Sequence, residues 1–315
     1  TVRYAVSMLM CFFLDDYFTE ETMNMVMNDS PNYDVLILGN SRGTNGYDPY
    51  ILDSILGCNS YNLSASGKSF RISNLRYQAY RRNNPAPKML IVNIDHIELS
   101  EGTLGFENYM FYPYITDSLV KPILTMNNFD WLDQHIPMYR YRGDYKYICL
   151  GLCELFNIYH LKGTGYKGYT PNSNNSWNGN NMHAEIRKKP HQLNVGLDSA
   201  VLEIADSFME QVKKEGVQVV MVYSPLYYLV QENLSSKYDT LKCTYEALSL
   251  KYNVPILDYQ SLSINRDSTY FADGNHLNQA GAELFTTLLA KDIDSLHLFN
   301  YKILLNHSYK EQIHE

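Results

Sequence analysis

Along this chain, apolar positions gather into short runs separated by stretches with a helical period. The runs at 35–38 (VLIL), 89–94 (MLIVNI) and 217–223 (VQVVMVY) lack the alternation of a strand with one wet face. They predict strands buried on both faces, as in a parallel sheet covered by helices. Weaker runs at 60–63 and 255–257 predict two more strands. Between them, 50–56, 69–82, 197–215, 238–252 and 279–291 read as helices. Glu215-Gly216 ahead of the fourth run has the form of a helix end with a glycine cap. Regular alternation of such strands and helices predicts an α/β fold, a three-layer α/β/α sandwich with a central parallel sheet.

That rhythm occupies 34–100 and 195–292 and breaks over 101–194, which is rich in Tyr, Asn and Gly (GYKGYTPNSNNSWNGNN at 165–181). So long an irregular stretch predicts a large insertion rather than an ordinary loop. One reading is a lid or substrate-binding subdomain. The other is a partly helical decoration of the sheet edge, with Phe129 and Trp131 in a small core. Residues 1–33 form an apolar segment and spacer. The run at 4–14 (YAVSMLMCFFL) is shorter than the roughly 20 residues of a membrane span. It reads either as the tail of a membrane anchor or as an amphipathic helix on the core. The anchor reading places the protein in the cell envelope, periplasmic or otherwise extracytoplasmic, with a cytoplasmic place as its alternative. Residues 293–315 form a C-terminal tail.

Composition narrows the function. A net charge of −8 with no basic run argues against a nucleic-acid partner. Five scattered cysteines (Cys11, Cys58, Cys149, Cys153, Cys243) give neither a disulfide framework nor a metal-binding spacing. Cys149 and Cys153, four apart in an apolar stretch, read as small buried hydrophobes. No metal cluster, phosphate-binding loop or dinucleotide fingerprint occurs, so no cofactor is expected. The 28 tyrosines suit sugar rings, and equally well interfaces or half-buried surfaces.

Two short stretches carry chemistry. The first strand ends in Gly39-Asn40-Ser41-Arg42-Gly43, which fits both a nucleophile turn and the cap of a following helix. The second is FADGNHLNQAGA at 271–282, where Asp273 and His276 lie three apart just before a helix. That spacing can set a carboxylate beside an imidazole. It also fits an Asp-Gly turn followed by an Asn278 helix cap.

A serine after the first strand and Asp-x-x-His before the last helix resemble the SGNH/GDSL hydrolase superfamily. The resemblance runs from about residue 34 to 290, through ILGNSRG, YNLSASG (61–67), MLIVNID and FADGNHLNQAGA. SRGTNGYDP is similar to the envelope-associated branch of polysaccharide acetylesterase-like and acetyltransferase-like proteins. The resemblance implies a flavodoxin-like SGNH fold, Ser41 as nucleophile, His276 as base and Asp273 as its orienting acid. It implies the backbone N–H groups of Ser41 and Gly67 as oxyanion donors. It further suggests Asn40, Arg42, Asp95 and the insertion's Trp177 as candidate substrate contacts.

Two departures from the family pattern stand out. Asn40 replaces the usual Asp before the serine, and the Gly-x-Asn-Asp block, which supplies a third oxyanion donor, is missing. The third strand instead leads into Asp95 and His96 near its catalytic end. Asp95 reads as a substrate ligand, a partner for Arg42, or a plain strand-end residue.

The function expected is an esterase removing acetyl or other small acyl groups from a glycan. An O-acyltransferase for an envelope or exported polysaccharide is the alternative, and a non-catalytic binding or assembly protein on the same fold is the third reading. The partner expected is an acylated carbohydrate or other small ester, with membrane anchoring through the N-terminus.

Overall fold

A parallel sheet of five strands organises the molecule, in the spatial order β2-β1-β3-β4-β5. The strands are β1 (Val35–Leu38), β2 (Ser60–Asn62), β3 (Met89–Ile94), β4 (Gln218–Tyr223) and β5 (Ile256–Asp258). The computed structural model describes residues 18–100, 108–126, 129–136, 139–142, 165–173, 177–179, 182 and 195–299. Register pairs Val35 with Ser60 on one side of β1 and with Met89 on the other, and Ile94 with Tyr223 across β3 and β4. Every residue of β1 and β3 is buried, which is why their sequences carry no polar alternation.

Helices fill both faces. Helix α1 (Phe18–Asn28), α2 (Ser41–Gly46), α3 (Pro49–Leu56) and α4 (Phe70–Asn83) precede β3. Among the described residues of the insertion are two short helices, α5 (Val120–Met126) and α6 (Trp131–His135). Helix α7 (Ser199–Lys214) leads into β4, α8 (Tyr228–Asn233) and α9 (Lys237–Tyr252) into β5, and α10 (Gln279–Ser295) closes the domain. On one face α4 packs against α1 and α7, and α7 against α9; on the other α10 packs against α2 and α3. The expected three-layer α/β/α class is the observed one.

The 2-1-3-4-5 order places a topological switch between β1 and β3, where one connection leaves towards each face. Open α/β sheets form their crevices outside the carboxyl ends of the strands at such a point. Ser41 follows β1 there, and Asp95 and His96 follow β3.

Two features depart from the sequence reading, helix α1 and the place of Trp131. Helix α1 lies within what reads as a spacer, docking through buried Met23 and Val26 onto α4. The apolar run at 4–14 and the Cys149/Cys153 pair lie outside the described residues. Among the described residues no helix is long and apolar enough to cross a membrane. Phe129 packs on Tyr112 at 5.2 Å as a small aromatic core requires, whereas Trp131 is 63% exposed and stacks on His135.

Candidate active site

The turn that carries Ser41 is built from inside the protein. Asn40 caps α2, its Oδ1 accepting from the Arg42 N–H at 2.9 Å, and its Nδ2 donates to Asp95 Oδ2 at 2.8 Å. Asp95 is fully buried, and its Oδ1 accepts from the Ile97 and Glu98 amides at 2.8 and 2.9 Å. The Arg42 guanidinium lies 3.8 Å from that carboxylate and donates to the Ser224 and Pro225 carbonyls at 2.8 and 3.0 Å. These side chains therefore lash the ends of β1, β3 and β4 together beneath Ser41.

Asn40, Arg42 and Asp95 were expected among the substrate contacts, and the structure corrects this. They are 1%, 3% and 0% exposed, and their polar groups face one another and the main chain. A buried carboxylate is tolerated only when it is paired, and this arrangement supplies the pairing. Beside it, complete burial, then the nearby Asp95 charge, pushes the Glu98 carboxyl well above the usual carboxylate range.

The segment after β2 closes on the same turn. Ala65 N–H donates to the Gly39 carbonyl at 2.8 Å, and Asn62 Nδ2 donates to the Gly43 carbonyl at 2.9 Å. A Cβ on Gly43 would fall 2.3 Å from Ser64 Oγ, so only glycine allows this approach. Gly67 has φ 68°, a left-handed conformation that glycine adopts freely. Among the described residues, the amides of Ser41 and Gly67 meet no acceptor.

Ser41 Oγ–H donates to His276 Nε2 at 2.7 Å. The other ring nitrogen, Nδ1–H, donates to Asp273 Oδ2 and Oδ1 at 2.8 and 2.9 Å. An ionised Asp accepts only, so this network fixes the imidazole tautomer. Asp273 Oδ1 also accepts from the Asn275 and His276 amides at 2.7 and 3.0 Å. Burial pushes its carboxyl up, but the His276 hydrogen bond and charge and the two amides outweigh that and hold it below the usual carboxylate range. The turn runs into α10, which Asn278 caps by accepting from the Gly281 N–H at 3.0 Å.

The insertion divides between two places. Its first part lies against the helices: Tyr114 takes a hydrogen bond from Asn28 of α1, and Met110 lies by Arg76 of α4. Its later part reaches the site. Lys167 and Thr170 bond to Asn62 and Thr44 through their backbones, and Asn172 Nδ2 donates to the Leu277 carbonyl at 2.9 Å. Met182 packs against Gly274, and Trp177 sits edge-on to Tyr227 at 4.8 Å. Tyr227 in turn contacts Phe271, so Trp177 stands by the Asp273–His276 turn.

His96, named in the sequence only for its position, is 7% exposed. Burial lowers its ring to about 4, and the fields of Arg42 and His276 act in the same direction against that of Asp95. Among the described residues no group of His, Cys, Asp and Glu could hold a metal ion. A separate groove lined by Lys88, Gly216, Leu298 and Phe299 lies at the opposite, amino edge of β3 and β4 and includes none of these site residues.

No protein-family model matches the sequence, and no curated protein matches it. Among solved structures, the chain is similar to a candidate acylhydrolase from Bacteroides fragilis NCTC 9343 at 11% identity and TM-score 0.44, covering 89% of this chain and 95% of that one. A GDSL-like lipase from Bacteroides thetaiotaomicron VPI-5482 is 12% identical at TM-score 0.40, over 83% and 88% of the two chains. A family two carbohydrate esterase from Clostridium thermocellum, solved with cellohexaose, is 8% identical at TM-score 0.40, over 86% and 67%. At such low similarity these likenesses carry no argument about activity. The side-chain geometry has to carry it.

Proposed function

We propose that this protein is a serine esterase that removes acetyl or another small acyl group from a glycan through an acyl-serine on Ser41. The observation that supports the reading most is the chain of contacts from Ser41 Oγ through His276 to Asp273, with heavy-atom distances of 2.7 and 2.8 Å. A serine hydroxyl is a weak nucleophile until a base takes its proton. Here the base, its orienting acid and the nucleophile meet at the switch point of the sheet.

In the proposed reaction Ser41 Oγ attacks the ester carbonyl while His276 Nε2 takes its proton. Asp273 stabilises the resulting imidazolium. The oxyanion is held by the Ser41 and Gly67 amides, and His276 returns the proton to the departing sugar oxygen. Water, activated by the same imidazole, then releases the acid. The branch of polysaccharide-modifying envelope proteins to which SRGTNGYDP is similar favours a glycan in the cell envelope as the substrate. N-terminal anchoring to a membrane belongs to the same proposal.

A second reading, transfer of the acyl group to a sugar hydroxyl, draws on the cover that Trp177, Tyr227 and Met182 provide beside the acid–base turn. Such a cover can keep water from the acyl-serine.

The test is release of acetate from p-nitrophenyl acetate and from an acetylated oligosaccharide, with and without a deacetylated acceptor sugar. The wild type should turn over both esters, and Ser41→Ala neither. Transfer to the acceptor in preference to release would select the second reading. Equal turnover by wild type and Ser41→Ala would overturn both.

A further inference from the structure

The Asn-bearing block of the SGNH pattern is missing, and the position just beyond β3 carries an imidazole instead. His96 lies two residues past Ile94, the last residue of β3, at the same sheet edge as Ser41. Its neighbour Asp95 is bonded to Asn40, the residue before the nucleophile, at 2.8 Å. The backbone around it is pinned: the His96 carbonyl accepts from Gly196 N–H at 2.8 Å, and the Asp95 carbonyl accepts from Tyr245 Oη–H at 3.2 Å. A buried ring so close to the nucleophile turn should have a structural hydrogen bond if its role were structural. Among the described residues, His96 Nδ1 has none.

We propose that His96 is the third oxyanion donor of this site, giving its N–H to the acyl carbonyl oxygen as Ser41 attacks; this rests on the esterase reading above. With Nδ1 buried and unpartnered, Nε2 is the ring nitrogen left for a ligand, and the Nε2–H tautomer makes the ring a donor there. A neutral imidazole suits the task. Its ring stays uncharged down to a pH of about 4, so it does not compete with His276 for the proton in flight. It also adds no fixed positive charge beside the imidazolium that forms on His276. A neutral imidazole used as an electrophile towards a carbonyl has precedent in isomerase chemistry. Donors held rigid before the charge develops are the ones that lower the barrier most.

The test compares His96→Ala, His96→Asn and the wild type by turnover of p-nitrophenyl acetate, thermal unfolding, and the rate of inactivation by a fluorophosphonate. The phosphonyl oxygen of that probe occupies the oxyanion position. For His96→Ala we expect kcat to fall on the order of 100-fold with KM little changed, as for loss of one oxyanion donor. Fluorophosphonate inactivation should slow in step. His96→Asn, which restores a side-chain N–H, should recover part of both rates. A loss of unfolding temperature with unchanged kcat and labelling rate would make His96 a packing residue and overturn the proposal. Equal deficits in Ala and Asn variants that remain folded would overturn it too. These outcomes are distinct from failure of the esterase reading, in which the wild type itself neither turns over the ester nor labels at Ser41.

Discussion

The two halves of the candidate site are held in different ways. The Ser41 half rests on groups sealed inside the protein: Asn40, Arg42 and Asp95 are at most 3% exposed and join three strand ends. The Asp273–His276 half is a surface turn, with the Asp273 side chain 53% and the His276 side chain 25% exposed. It is shaped by its own amides and by contacts from the insertion. In the proposed reaction the nucleophile needs a fixed position in a sharp turn, and the core supplies it. The base must shuttle a proton, and a partly open turn allows that. Mutations of the buried groups beneath Ser41 should therefore act through stability, and those of the Asp273–His276 turn through rate.

The largest expected effect is on rate. Asp273→Asn keeps an oxygen for the turn amides but loses the charge that fixes the His276 tautomer and stabilises the imidazolium. Ester turnover should fall by about 10³- to 10⁴-fold with the unfolding temperature nearly unchanged. A drop in stability matching the drop in rate would erase the contrast between the halves.

Asp95→Ala should show the opposite profile. It strands the Arg42 guanidinium and the Asn40 amide in the core, a loss of about 3–5 kcal/mol for one member of a buried pair. Chemical denaturation measures it. A variant as stable as the wild type would show that the inner network has little structural weight.

Much of this arrangement can be read in the sequence, and the physical reason differs by element. VLIL and MLIVNI are legible as buried strands because both of their faces meet helices, so their sequences carry no polar alternation and a single polar residue, Asn93. Ser41, Asp273 and His276 are legible only through the resemblance that joins the two stretches, since each stretch by itself also fits a plain turn or helix cap. Asn40 and Arg42 turn inwards rather than towards a substrate, and of the three readings of Asp95 the partner for Arg42 is the one observed, because sequence cannot say whether a polar side chain at a strand end turns inwards or outwards. Helix α1 escaped notice because Met23 and Val26, its buried positions, follow a much stronger apolar run. The segment around Lys167 and Thr170 is legible only as part of an insertion, because its partners, Asp53, Asn59, Asn62 and Thr44, lie more than 100 residues away in the chain.

A smaller effect tests the support from the insertion. Asn172→Ala removes the bond to the Leu277 carbonyl next to His276. It should cost about 1 kcal/mol of stability together with a several-fold loss of kcat. Loss of stability alone would reduce this segment to an edge covering.

The smallest effect is a matter of pH. The His96 ring takes its proton near pH 6.5 in the unfolded chain and only near about 4 in the fold, with Asp95, Arg42 and His276 as the charges around it. The unfolded state therefore binds more protons in that window. The contribution is present above pH 6.5 and is lost as the pH falls towards 4. Unfolding temperature should decline across this range, and less steeply in His96→Asn. Parallel declines would show that the His96 ring does not titrate in this way.

The central claim is that Ser41 is a nucleophile activated by His276. Mass mapping after a fluorophosphonate addresses it most directly, applied to the wild type, to Ser41→Ala and to His276→Ala. The wild type should carry one adduct on the peptide containing Ser41. Ser41→Ala should carry none, and His276→Ala should label at a small fraction of the wild-type rate. An adduct at another serine, or equal labelling of the wild type and His276→Ala, would contradict the account.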